Sequence, residues 1–116
     1  MFLKHNLSQK KAETFLQSEE YLGSADRSFN FQFPKKPIAT RQRGRSITRI
    51  EFQDYMCGQE NPKYAYCRVF VMLRGGTLLE YRRNRRITDN SKGLEVFKTV
   101  IKDLKSPYWH SFTDIT

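Results

Sequence analysis

The sequence predicts one α+β domain: a three- to four-stranded antiparallel sheet with a C-terminal helix packed on one face and a shorter N-terminal helix. Residues 28–33 alternate phenylalanine with polar side chains, as a strand with one buried face does. Two further strand-like runs flank Gly75-Gly76, a pair that suits a tight hairpin turn. Apolar residues then recur at helical spacing near the C-terminus. The length of 116 residues fits a single domain spanning 1–116.

The first third of the chain predicts a helix, a short strand and a loop. Ser8 can cap a helix that continues to about Tyr21. The strand at 28–33 places its three phenylalanines on one side and ends at a proline. Residues 34–45 combine prolines, a glycine and five basic residues, and we expect them to form a basic loop or arm.

The middle of the chain predicts three antiparallel strands, of which the run at 64–73 is the strongest. In the strand at 46–55, one side carries Thr48, Ile50 and Phe52, and the other carries Ile47, Arg49 and Glu51. A two-residue turn at Gly75-Gly76 would pair Phe70 with Tyr81 and Arg68 with Arg83. One hairpin face then holds Ala65, Cys67, Val69, Val71, Leu73 and Leu78, and the other holds Tyr64, Tyr66, Arg68, Phe70, Met72, Leu79, Tyr81 and Arg83.

The last helix is expected to open at 89–91 and to pack on the aliphatic hairpin face. Its apolar stripe consists of Leu94, Phe97, Val100, Ile101 and Leu104. A proline follows the predicted end of the helix. The aromatic tail at 107–116 is expected to pack back on the body of the domain.

Positive charge is concentrated in two stretches of the chain. From Arg27 to Ile50 there are seven Lys or Arg and no acidic residue, and from Lys63 to Arg86 there are seven more against Glu80 alone. The formal net charge is +9 and the pI about 9.8. Such a surface attracts polyanions, so we expect a partner made of DNA or RNA.

The predicted binding surface consists of one face of the hairpin and two arginine clusters, at 41–45 and 82–86. Arginine makes planar, bidentate contacts to phosphate, and an exposed ring can stack a base. Arg68 opposite Arg83 would be repulsive without an anion between them. The rings could instead be partly buried, which would leave only the arginines exposed. The predicted contacts are Arg41, Arg43, Arg45, Arg49, Tyr66, Arg68, Phe70, Tyr81, Arg82, Arg83, Arg85 and Arg86.

Catalytic, metal and cofactor chemistry find little support in the sequence. Cys57 and Cys67, with His5 and His110 near the chain ends, match no zinc spacing. The carboxylates are scattered, so we predict a binding protein without metal or cofactor. With no secretory signal and no long apolar run, we expect a soluble intracellular protein without membrane contact, cytoplasmic, or nuclear in a eukaryotic or viral setting.

One stretch resembles a family of enzymes. It consists of Tyr66-Cys67-Arg68-Val69-Phe70-Val71, Gly75-Gly76, Leu78-Leu79 and Tyr81-Arg82-Arg83. It is similar to the central hairpin of the RelE-type toxin ribonucleases, but the helical hairpin that precedes it in that family is absent here. The resemblance implies cleavage of RNA without metal, by Arg, Lys, Tyr and His side chains.

Two further alternatives stay open, one about the partner of the basic surface and one about the edge of the sheet. The protein could be an accessory or inhibitor factor, of the kind viruses and mobile elements encode, that docks on an acidic protein surface. The strand at 28–33 could also lie at a sheet edge, where it would either pair with a second copy in a homodimer or close the sheet.

Overall fold

The described residues form a six-stranded sheet with helices on one face. The computed structural model describes residues 2–4, 7–22, 28–33, 36–41, 44–54, 67–82, 93–106 and 111–116. The elements are β1 (Phe2–Lys4), α1 (Gln9–Phe15), α2 (Glu19–Leu22), β2 (Phe29–Gln32), β3 (Ile47–Asp54), β4 (Cys67–Leu73), β5 (Leu78–Tyr81), α3 (Gly93–Leu104) and β6 (Phe112–Asp114).

The strands lie in the sheet in the same order as in the chain, β1 to β6. β1 runs parallel to β2, and every other neighbouring pair is antiparallel. The predicted α+β class, with a C-terminal helix and a short N-terminal helix, is confirmed. The strand count is higher than the three or four expected, because β1 and β6 extend the sheet at its two edges. Each is three residues long, too short for alternation to be visible in the sequence.

The N-terminal helix begins as expected but is divided in two. Ser8 is the N-cap of α1, and its hydroxyl accepts the backbone N–H of Lys11 at 3.2 Å. Ser18 ends this helical stretch: its hydroxyl donates to the carbonyl of Phe15 at 2.6 Å and accepts the N–H of Tyr21 at 3.3 Å. A serine that bonds local backbone competes with the helical pattern, so two short helices replace one long one.

β2 supplies the aromatic centre of the core. Phe29, Phe31 and Phe33 are buried, as their alternation predicted. The Phe29 ring stacks on Phe52 at 4.8 Å between centroids, and Phe31 meets Phe97 of α3 edge-on at 5.8 Å. The sequence left open whether 28–33 lies at an edge, where it could pair with a second copy, or closes the sheet. β2 is bonded to β1 on one side and to β3 on the other, so it is not an edge strand. A homodimer stays a prediction.

β3 contains an irregularity that moves one predicted side chain to the other face. Ile47 pairs with Leu73 and Arg49 with Met72, which leaves Thr48 as the extra residue of a β-bulge. Ile47 is therefore buried together with Ile50, although strict alternation placed the two on opposite sides.

The β4–β5 hairpin is shifted by one residue from the predicted register. Leu73 accepts the N–H of Gly76 at 3.0 Å and donates to Thr77 at 2.8 Å, which closes a three-residue loop over 74–76. Gly75 and Gly76 have φ values of 98° and 95°, a region that favours glycine. In the observed register Val69 pairs with Tyr81 and Phe70 with Glu80. The expected Phe70–Tyr81 pair is wrong, because the loop holds one residue more than a two-residue turn.

The corrected register changes which residues share a face. Leu79 and Tyr81 lie on the core side with Val69 and Val71, whereas Leu78 lies on the outer side with Met72. α3 packs on the core side as predicted, burying Val96, Phe97, Val100, Ile101 and Leu104.

Candidate functional site

The basic loop was predicted at 34–45, of which the structure describes 36–41 and 44–45, and backbone hydrogen bonds tie this part of the chain to the domain at both ends. Ile38 is buried and exchanges two bonds with Ile47, at 3.1 and 2.7 Å. Further along, Arg41 donates its backbone N–H to the carbonyl of Leu104 at 3.2 Å, and the Thr40 hydroxyl donates to the same oxygen. The loop thus covers the C-terminus of α3, where helix carbonyls lack intrahelical partners.

These ties place Arg41 next to the end of α3. Ala39, Thr40, Arg41 and Lys105 together line an open surface cavity of about 310 Å³. The two charged side chains are exposed. Since liquid water occupies about 30 Å³ per molecule, the cavity has room for an anion as large as phosphate.

The other end of the loop is fastened to the β4–β5 turn. The carbonyl of Ser46 accepts the backbone N–H of Arg74 at 2.8 Å. The guanidinium of Arg45 donates to the Thr77 hydroxyl and lies against Gly75. Both arginines are exposed at this turn.

One loop therefore gathers four exposed cations, which we call the basic loop cluster: Arg41, Arg45, Arg74 and Lys105. Within the described part of the chain, no carboxylate forms an ion pair with any of them. Backbone hydrogen bonds hold these cations in place, and cations without a counter-charge attract and bind anions. Sequence reasoning included Arg41 and Arg45 but missed Arg74 and Lys105, because neither belongs to a run of neighbouring basic residues.

Two arginines on the outer sheet face share one carboxylate, which offsets part of their charge. Glu80, whose side chain is 8% exposed, binds Arg68 through one oxygen at 3.0 Å and Arg82 through the other at 2.6 Å. Burial raises the pKa of Glu80, but hydrogen bonds and charge attraction from the two arginines outweigh it and hold that pKa below its ordinary value. The expected repulsive pairing of Arg68 with Arg83 does not follow from the observed register, and the counter-charge is the protein's own carboxylate.

The predicted stacking rings are buried where the structure describes them. Tyr81 is 3% exposed and donates its hydroxyl to Asp103 of α3 at 2.7 Å. Phe70 is 7% exposed, and the Arg68 guanidinium carbon lies 4.9 Å from its ring centroid. Neither ring is accessible to a base. Arg49 is half-buried on the outer face, paired with Met72. The remaining predicted contacts lie outside the described residues: Arg43, Tyr66, Arg83, Arg85 and Arg86.

A second set of cations was not predicted. Lys98, Lys102 and Lys105 are exposed on the outer side of α3. Their spacing of four and three residues puts them on one helical face, a signal present in the sequence. The apolar stripe of that helix predicts its packing but gives no information on its charged side.

Comparison with known proteins returns no relative. No protein-family model matches the chain, and no curated protein or solved structure matches it significantly. In the described residues, no group of three or more His, Cys, Asp or Glu could hold a metal ion. A search of the same residues finds no helix of the length and apolarity that crossing a bilayer requires.

Proposed function

We propose that the protein binds nucleic acid through the phosphate backbone, with the basic loop cluster as its main contact surface. The observation that carries this proposal is the gathering of Arg41, Arg45, Arg74 and Lys105 around one hydrogen-bonded loop. Cations that contact phosphates release the counterions condensed on nucleic acid, and that release supplies most of the affinity in binding without sequence preference. An intracellular location belongs to the same proposal.

The contacts differ from those expected from the sequence in one respect. Arg68 and Arg82 share the carboxylate of Glu80, which offsets part of their positive charge within the protein. We therefore assign them a minor part in phosphate binding. Base stacking on Phe70 or Tyr81 is not part of the proposal, since both rings are buried.

The ribonuclease reading has less support from the described residues. It needs a tyrosine at the reacting phosphate, and Tyr81 is instead bonded to Asp103 in the core. We propose a binding protein, for which the expected observation is that RNA stays intact in its presence.

The experiment compares two double variants by fluorescence anisotropy with labelled DNA and RNA. Arg41 and Arg74 are tied to the domain through their backbone N–H groups, so Arg41→Gln with Arg74→Gln removes two charges and keeps the loop in place. The slope of log affinity against log salt should become shallower by about 2, one unit for each lost contact.

The matched control is Lys10→Gln with Lys11→Gln, which removes two exposed charges from α1. It should bind with the slope of the unmodified protein. Equal binding by the two double variants would contradict the proposal. An absence of binding to any nucleic acid at low salt would also contradict it and would favour docking on an acidic protein.

A further inference from the structure

A row of exposed cations runs along α3 on the side opposite the core. Lys98, Lys102 and Lys105 define this α3 cation row, and Glu95 lies on the same side one turn earlier. At 100° per residue, these four positions fall within an arc of about 80°. The buried apolar side chains of the helix face the other way, so the row is fixed by the same packing that forms the core.

The row is continuous with the basic loop cluster. Lys105 belongs to both, because its backbone N–H continues the last turn of α3 by donating to Ile101 at 3.1 Å and its side chain lines the cavity shared with Arg41. From that junction the loop leads to Arg45 and Arg74 at the hairpin turn. The described residues thus place exposed cations along α3 and at the two ends of one loop, beside the end of α3 and at the hairpin turn.

The length of the row suits a phosphate backbone. Seven residues of helix separate Lys98 from Lys105, a rise of about 10 Å. Consecutive phosphates of a B-form strand are displaced by about 3.4 Å along the duplex axis and are also rotated around it. Three long side chains spread over this length can therefore each reach a phosphate of one strand. Lysine side chains are long and flexible enough to adjust to the curve of such a strand.

Among the described residues, the surface along these cations carries charge and no exposed aromatic ring. In the described part of the chain, the exposed large apolar side chains are Leu22 and Ile115, and neither is aromatic. Proteins that hold single strands combine a basic groove with rings on which bases stack. A duplex keeps its bases stacked on each other and carries a higher charge density, and therefore needs only the phosphate contacts.

We propose that the α3 cation row and the basic loop cluster form one binding track for the backbone of a nucleic-acid duplex. This inference rests on the proposed function and adds to it a second contact surface and a preferred strandedness. The track contacts about six phosphates, through Arg41, Arg45, Arg74, Lys98, Lys102 and Lys105. DNA and RNA duplexes share this chemistry.

The test uses the full chain and three variants: Lys98→Gln with Lys102→Gln, Glu95→Lys, and the Lys10→Gln with Lys11→Gln control. Glutamine keeps the helix propensity of lysine, so the first variant should stay folded, which circular dichroism checks. Affinity is measured by anisotropy over a salt series with duplex DNA, duplex RNA and single strands of equal length.

We expect the first variant to flatten the salt slope on duplex by about 2 and Glu95→Lys to steepen it by about 1. The unmodified protein should prefer a duplex of either kind over single strands. The track would be overturned if Lys98→Gln with Lys102→Gln leaves the salt slope on duplex unchanged while Arg41→Gln with Arg74→Gln makes it shallower. That result would leave the proposed function standing. Tighter binding of single strands would overturn the preference for duplex, and no binding to any probe would overturn both proposals.

Discussion

Glu80 forms salt bridges with two arginines and so offsets part of the protein's positive charge. The carboxylate lies between two arginines that are about half exposed, with Arg68 46% and Arg82 59% accessible. Arg68 also lies over the Phe70 ring, which its guanidinium shields from solvent. A buried carboxylate with two partners is stabilised in its charged form, although each partner alone is screened by water.

Replacing Glu80 by Gln should destabilise the protein in a way that depends on pH. The folded pKa of Glu80 lies below its ordinary value, so its contribution is full at pH values above that ordinary pKa and is lost as the pH falls through the folded pKa. We expect Glu80→Gln to lower the free energy of unfolding by about 1 kcal/mol at neutral pH. Urea unfolding at neutral and strongly acidic pH measures this, and an equal difference at both would contradict it.

Gly93 is required by its close contact with Tyr21. A Cβ at Gly93 would overlap the Tyr21 hydroxyl and lie 2.7 Å from its ring carbon Cζ. Tyr21 is fully buried and packs against Phe29 at 5.4 Å between centroids, so it has little room to move. We expect Gly93→Ala to cost about 1–3 kcal/mol in thermal or urea unfolding, despite the higher helix propensity of alanine.

A second variant checks the cause of that effect. Tyr21→Phe removes the atom nearest to the new Cβ, so Gly93→Ala should cost less in the Tyr21→Phe background than alone. Equal costs in the two backgrounds would show that the contact with Tyr21 is not the reason.

At the scale of elements, the hairpin register decides which side chains are available for function. The sequence indicated a hairpin at Gly75-Gly76 but could not distinguish a two-residue turn from the three-residue loop at 74–76, since both need glycine. One residue of shift moves Tyr81 to the core. Tyr81 is unavailable for stacking for that reason, whereas Phe70 stays on the outer face and is covered by Arg68.

Tyr81→Phe should therefore affect stability and not binding. It removes the buried hydrogen bond to Asp103 that links β5 to α3, at a cost of about 1–3 kcal/mol in the free energy of unfolding. Nucleic-acid affinity should be unchanged at temperatures where the variant is folded. The reverse pattern, weaker binding with normal stability, would mean that Tyr81 contacts the ligand.

Elements with strong periodicity were predictable, and those formed by pairing alone were not. The phenylalanines of β2 and the apolar stripe of α3 repeat clearly, and both lie in the core. β1 and β6 take part in the sheet because neighbouring strands offer free backbone groups, which no pattern within three residues reveals. Likewise, the bulge at Thr48 depends on its partner strand.

At the scale of the molecule, charge is distributed unequally over the surface. The outer sheet face pairs arginine with glutamate, whereas the basic loop cluster and the α3 cation row have no ion pair with a described carboxylate. The total charge was evident from composition. The sequence could not show which cations are free to bind a partner. That depends on the contact of Arg68 and Arg82 with Glu80. It also depends on the loop that brings Arg41 beside Lys105.

The salt dependence of binding to duplex DNA measures whether this unpaired charge binds phosphate. Six contacts on the track predict a slope of log affinity against log salt of about −5. The slope should become shallower by about 2 when Arg41 and Arg74 are replaced by Gln, and should not change with the control at Lys10 and Lys11. A slope near zero, or no binding at the lowest salt, would contradict the account.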